Sequence, residues 1–144
     1  MIADYNTMSM VFNECNKKFF NHELPIPEFD TFNKLNIIAR FEYRKNKGKN
    51  KIKKPLEYKK IFFSNCYDFN YEDFVEIMTH EMVHYYIAWN GIKDDSTHGK
   101  NFMEIANEIN KKYGLNITKT KDASSLKKTE NASSAKSLFQ ILFS

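Results

Sequence analysis

Cysteine is scarce in this chain: two among 144 residues, Cys15 and Cys66. Neither belongs to a C-x-x-C pair, which excludes a disulfide framework and a zinc ribbon and suggests two reduced core thiols. Four glycines and three prolines are too few for a collagen-like or low-complexity chain. No apolar run reaches the length a membrane-spanning helix needs. The opening MIADYNTMSMVF holds an Asp and has no basic stretch ahead of an apolar run, so no signal peptide is expected. These absences lead to the expectation of a soluble cytoplasmic protein without a membrane partner, nucleoid-associated if it binds DNA. Hydrophobic residues make up 42% and aromatics are plentiful, so a chain of this length can build one domain around its own apolar core.

The net charge of +4 is modest, but its distribution is uneven. Residues 44–60, RKNKGKNKIKKPLEYKK, hold nine basic residues and one acid, a local charge of +8 that leaves the remainder near −4. A cluster that inverts the sign of its surroundings fits a polyanion partner, or else a solvated Lys-rich hairpin loop. The candidate nucleic-acid contacts are Arg44, Lys45, Lys47, Lys49, Lys51, Lys53 and Lys54.

Hydrophobic periodicity predicts a first helix over 4–20, with Met8, Val11, Phe12, Cys15 and Phe19 on one stripe and Asp4 as its N-cap. Two prolines in NHELPIPEF break the chain there, and His22 reads as a loop residue. Residues 35–44 alternate, with Ile37, Ala39, Phe41 and Tyr43 on one face and Arg40, Glu42 and Arg44 on the other, a half-buried strand. Residues 60–65, KIFFSN, predict another. Asn70 and Asp73 resemble a capping box that opens a second helix reaching Trp89 or Asn90, with Gly91 as the left-handed terminator. A third helix is predicted over 97–113, with Phe102, Ile105, Ala106, Ile109 and Tyr113 as its stripe and Gly114 at its end. From about residue 118 the chain is Lys, Ser, Thr and Ala, which reads as a flexible tail. Its last residues, SLFQILFS, are apolar again, suited to docking on the domain or on a partner that takes the SLFQILF peptide.

The chemistry concentrates in residues 79–102, which hold three of the four histidines. His80 and His84 lie four apart, on one face of the second helix, with Glu81 beside them. This is H-E-x-x-H: two imidazoles spaced to grip one cation, and a carboxylate that can act as base on a water there. Two histidines leave zinc short of a ligand, because a catalytic site needs three protein ligands and one open position. His98, fourteen residues after His84, and Glu104, twenty after it, are both candidates. A histidine six residues after the second is absent, since position 90 is Asn. Either Asp94 or Asp95 could accept the spare N–H of a ligating imidazole, or simply lead the third helix.

The segments THEMVHYY and THGKNF, the latter of the form H-G-x-x-F, together with FNECNKKFFNHELPIPEF near the start, resemble the SprT-like family, which includes Spartan and related DNA-associated metalloproteases. The likeness spans about residues 8–114 in the family's order. It implies an α+β fold, a zincin-like metalloprotease domain with three main helices on a small antiparallel sheet. That domain would occupy 1–117, with 118–144 as the tail. It also implies one catalytic Zn2+ held by His80, His84 and His98, with Glu81 as base. Glu104 is then an outlying acid.

The expected reaction is peptide-bond hydrolysis, with Glu81 moving the proton from water to the leaving amine. An edge strand, expected at 61–64, would align an extended substrate. The resemblance further implies a substrate that is bound or crosslinked to DNA, single-stranded or at a junction. Paired C-x-x-C motifs like those of the family's frequent C-terminal zinc ribbon are not found in this sequence, so DNA recruitment would rest on the basic segment or on a partner, or not exist. Two other readings compete: a regulatory zinc protease with one protein target and no use for DNA, and a non-catalytic zinc module that binds DNA.

Overall fold

A computed structural model describes residues 1–133 of the chain. Helix α1 spans Tyr5–Phe19. It starts where the Asp4 carboxylate accepts the Thr7 N–H at 2.7 Å, satisfying one of the helix's free donors. The predicted stripe of Met8, Val11, Phe12 and Cys15 is buried. Beyond the helix, Asn21 and His22 take positive φ, 51° and 59°. The buried Asn16 amide ties the turn down by donating to the Leu24 carbonyl at 2.8 Å and accepting its N–H at 3.2 Å.

Strand β1 (Glu28–Phe32) follows, then β2 (Ala39–Lys45) and β3 (Leu56–Ser64). The sheet order is β1-β3-β2. The β2–β3 pair is an antiparallel hairpin whose tip is the Lys-rich segment 46–55. Strand β1 pairs with β3 in parallel, from Glu28 opposite Lys60 to Phe32 opposite Ser64. The sheet is therefore mixed rather than antiparallel throughout. The hairpin inserts its second strand beside β1, running the same way. β1 escaped the sequence reading because five residues after two prolines carry too little alternation.

The inner face of the sheet packs on α2 (Tyr71–Trp89). The Asn70 side chain caps this helix by accepting the Asp73 N–H at 2.7 Å, and Gly91, at φ 63°, turns the chain out of it. Ten of its residues are buried, which makes it the central element. Phe63 of β3 stacks on Phe74 at 4.6 Å between ring centres, and Phe41 of β2 stacks on Tyr85 at 5.1 Å. The Tyr85 hydroxyl keeps its hydrogen bond, to the Pro25 carbonyl at 2.6 Å. Helix α3 (Lys100–Tyr113) packs against the other side of α2 and ends at Gly114, φ 70°. It begins later than predicted, so His98 stands in the loop ahead of it.

The composition after 117 predicts a flexible tail, and the structure differs. Residues 118–133 lie against the domain: β5 (Lys127–Lys128) pairs antiparallel with β4 (Tyr67–Asp68), and Thr129 Oγ1 donates to the Asn65 carbonyl at 2.7 Å. Of the few apolar letters here, Leu126 and Ala132 are buried and Ala123 is partly buried. The apolar end at 137–144 lies outside the described residues. Among those described, no helix is long and apolar enough to cross a membrane.

Candidate metal centre

Two turns of α2 place His80 and His84 on the same face, and the loop after Gly91 brings His98 across to them. The three Nε2 atoms form a nearly equilateral triangle: 3.3 Å between His84 and His80, 3.2 Å between His84 and His98, and 3.2 Å between His98 and His80. They are the residues of the described chain that group as a set able to hold a metal ion. Without a cation, these contacts are hydrogen bonds only if one of the rings carries its proton on Nε2.

Phe102 forms the floor. Its ring is fully buried and lies 4.9, 4.6 and 4.9 Å from the rings of His80, His84 and His98. The F of H-G-x-x-F is thus the surface on which all three imidazoles rest. The sequence showed Phe102 as a member of a helical stripe, without that role.

His80 Nδ1 lies 2.7 Å from the Thr118 carbonyl. A carbonyl only accepts, so Nδ1 carries the proton and Nε2 offers its lone pair to the centre. Burial lowers the pKa of His80 to about 4, the Thr118 bond raising it and His98 lowering it further. Burial lowers His84 to about 3, with His80 and His98 adding to the effect. His98 is also lowered, by burial and then by the Lys119 charge. All three are neutral imidazoles at pH 7, the form that ligates metal.

Asp94 is a helix cap. Its two carboxylate oxygens accept the Asn101 and Phe102 N–H groups at 3.0 and 2.9 Å, which starts α3 and fixes the approach of His98. This explains Gly99: a Cβ there would fall 2.6 Å from Asp94 Oδ1 and 2.5 Å from Asp95 Oδ1. Glu104, the other candidate ligand, is an exposed acid that pairs with Lys100 at 3.9 Å. His22 sits in its left-handed turn, away from the cluster.

The triangle opens into a cleft of about 740 Å³. Glu81 lines it, buried to 7% exposure. Burial pushes its carboxyl up to about 8 in the metal-free chain, and the Phe41 backbone N–H works the other way. One wall of the cleft is β2. Strand β3, expected at the edge, is central and paired on both sides. Of the two edge strands, β1 and β2, it is β2 that lines the cleft. Ser64 N–H donates to the Ile38 carbonyl at 2.7 Å, so even-numbered residues here face β3 while Ala39, Phe41 and Tyr43 turn their backbone groups to the cleft.

The basic residues lie apart from the triangle. Arg44 is held by Glu57 at 2.5 Å. Lys45 ends β2 at the mouth of the cleft. Lys47, Lys49, Lys51, Lys53 and Lys54 are exposed on the hairpin tip and have no ion-pair partner among the described residues.

A mixed α+β domain with this histidine cluster beside a strand-walled cleft is of the metalloprotease type. The chain matches the SprT-like family over residues 8–121 and belongs to it. No curated protein matches it. The family match runs past 117 and takes in Thr118, whose carbonyl meets His80.

Proposed function

We propose that the chain is a zinc-dependent metalloendopeptidase acting on DNA-bound or DNA-crosslinked proteins. The observation that carries this reading is the Nε2 triangle. Nitrogens on a tetrahedral zinc at 2.0–2.1 Å stand about 3.3–3.4 Å apart, and the edges here are 3.2–3.3 Å. Three neutral imidazoles with one side left open are the donor set of a catalytic rather than a closed structural site. A zinc ion held there would polarise a substrate carbonyl and acidify water.

The residues of the chain do the rest. Glu81 takes a proton from water in the cleft and delivers it to the leaving amine. Its burial favours uptake of that proton. The open backbone groups of Ala39 and Tyr43 pair with an extended peptide main chain, which aligns a substrate without reading its side chains. The exposed lysines of 46–55 meet phosphates, whose contact needs no particular order of residues. That division suits a protease whose targets share a location on DNA and not a sequence.

The experiment is cleavage of a DNA-binding protein by the zinc-loaded chain, with and without single-stranded DNA, beside Glu81→Gln. Cleavage that requires both DNA and Glu81 is the expected result. Cleavage indifferent to DNA would keep the protease and remove the recruitment. Glu81→Gln as active as wild type would overturn the enzyme reading in favour of a non-catalytic zinc module.

A further inference from the structure

We infer that Asn110 and Glu76 are positioning residues for His80, acting through the backbone of residues 116–118; the inference rests on the reading of His80 as a metal ligand. The segment after Gly114 has no secondary structure of its own until residue 123. A chain in that condition would not hold a carbonyl steady, yet Thr118 presents its carbonyl to His80 Nδ1 at 2.7 Å. What holds it is a set of side chains from the two helices on either side.

Asn110 of α3 makes both bonds of a strand partner. Its Oδ1 accepts the Ile117 N–H at 2.7 Å and its Nδ2 donates to the Ile117 carbonyl at 2.9 Å. Ile117 itself is buried. Glu76 of α2 takes the preceding residue, its Oε2 accepting the Asn116 N–H at 2.5 Å. Glu76 lies one helical turn before His80, so ligand and anchor share a helix face. It is a buried carboxylate, and Lys121 offsets its charge: Nζ stands 3.8 Å from Glu76 Oε1 and 2.6 Å from Asp73 Oδ1. Residues 116, 117 and 121 are thus pinned on both sides of Thr118.

The consequence is chemical. Neutral imidazole carries its proton on either nitrogen, and only the Nδ1–H form leaves Nε2 free to ligate. The Thr118 carbonyl selects that form and fixes the ring's rotation. Of the three histidines, His80 alone has such an Nδ1 bond among the described residues. Asn110 and Glu76 touch neither metal nor substrate; their effect is on the ligand's tautomer and aim.

The test uses the full chain, with Asn110→Ala to remove both amide bonds and Glu76→Gln to keep an oxygen for Asn116. Zinc affinity is read by competition with a chromophoric chelator, and the His80 tautomer by long-range proton–nitrogen NMR of the metal-free protein. Asn110→Ala is expected to weaken zinc by up to the roughly 10–100-fold that loss of a ligand's outer partner costs, since the Thr118 carbonyl is that partner and is loosened, and to shift His80 from pure Nδ1–H to a mixture. Glu76→Gln should stay within about threefold of wild type, because the accepting oxygen survives.

Val11→Ala, in the buried face of α1, controls for stability alone; it should lower the melting temperature and leave both readouts in place. Asn110→Ala with wild-type zinc affinity and an unchanged tautomer would overturn the inference. So would an equal loss of zinc affinity in Val11→Ala. If wild type takes up no zinc, the protease reading fails; the tautomer comparison still stands, and an unchanged His80 signal in Asn110→Ala would overturn the positioning role.

Discussion

Gly99 carries a constraint that no property of a glycine-containing loop would suggest. Its φ of −79° is open to any residue, so the need for glycine lies in space, where the Asp94 and Asp95 carboxylates already sit. Gly99→Ala is expected to cost about 1–3 kcal/mol, the range for overpacking, measured by chemical denaturation. The cost should shrink in part in an Asp94→Ala background, where the Asp95 carboxylate remains in the way; that background itself loses a helix cap worth about 1 kcal/mol. Phe102→Ala should cost about 3–5 kcal/mol and also weaken metal binding, since three imidazoles lose their common floor. Isothermal titration with zinc on the still-folded fraction would check the second effect. His80, Glu81 and His84 were legible because helical spacing is local. His98 needed the H-G-x-x-F pattern, since spacing alone left Glu104 open. The Thr118 carbonyl was illegible: every residue has one, and no letter marks which carbonyl will meet an imidazole.

At the scale of elements, the helices were read nearly to their ends, because Asp4, Asn70, Gly91 and Gly114 punctuate them. The sheet was read less well. Alternation showed which face of β2 turns inward, but pairing partners are distant in sequence, so neither the parallel β1 nor the position of the edge was visible. That edge supports a prediction. Tyr43→Pro removes an N–H that points into the cleft and not into the sheet, and proline is tolerated on such an edge. It should lower kcat/KM about fivefold, the worth of one net hydrogen bond of about 1 kcal/mol. The loss should be alike for peptides of unrelated sequence, with little change in melting temperature. A loss confined to one peptide sequence would point to side-chain recognition instead.

For the whole molecule, the charge is divided between a hairpin at +8 and a body near −4. Changing Lys47, Lys49, Lys51, Lys53 and Lys54 together to Glu should abolish DNA stimulation and flatten the salt dependence of binding. The fold should survive, since these side chains are exposed; fluorescence anisotropy across a salt series, beside circular dichroism, checks both. Stripping metal with a chelator should lower the melting temperature, because an ion that binds only the folded chain adds about 4 kcal/mol at a thousandfold excess over its Kd. Restoring zinc should restore it.

The order in which the metal centre's parts appear along the chain sets a clock on synthesis. His80 and His84 are translated first, His98 fourteen residues after His84, and the Thr118 carbonyl twenty more after that. A ribosome-bound chain that has exposed its H-E-x-x-H helix still lacks a third imidazole, the ring beneath it and the carbonyl that orients His80. Here the histidine cluster stays incomplete until Thr118 has emerged, and a product truncated before residue 116 carries the H-E-x-x-H signature without the carbonyl that orients His80.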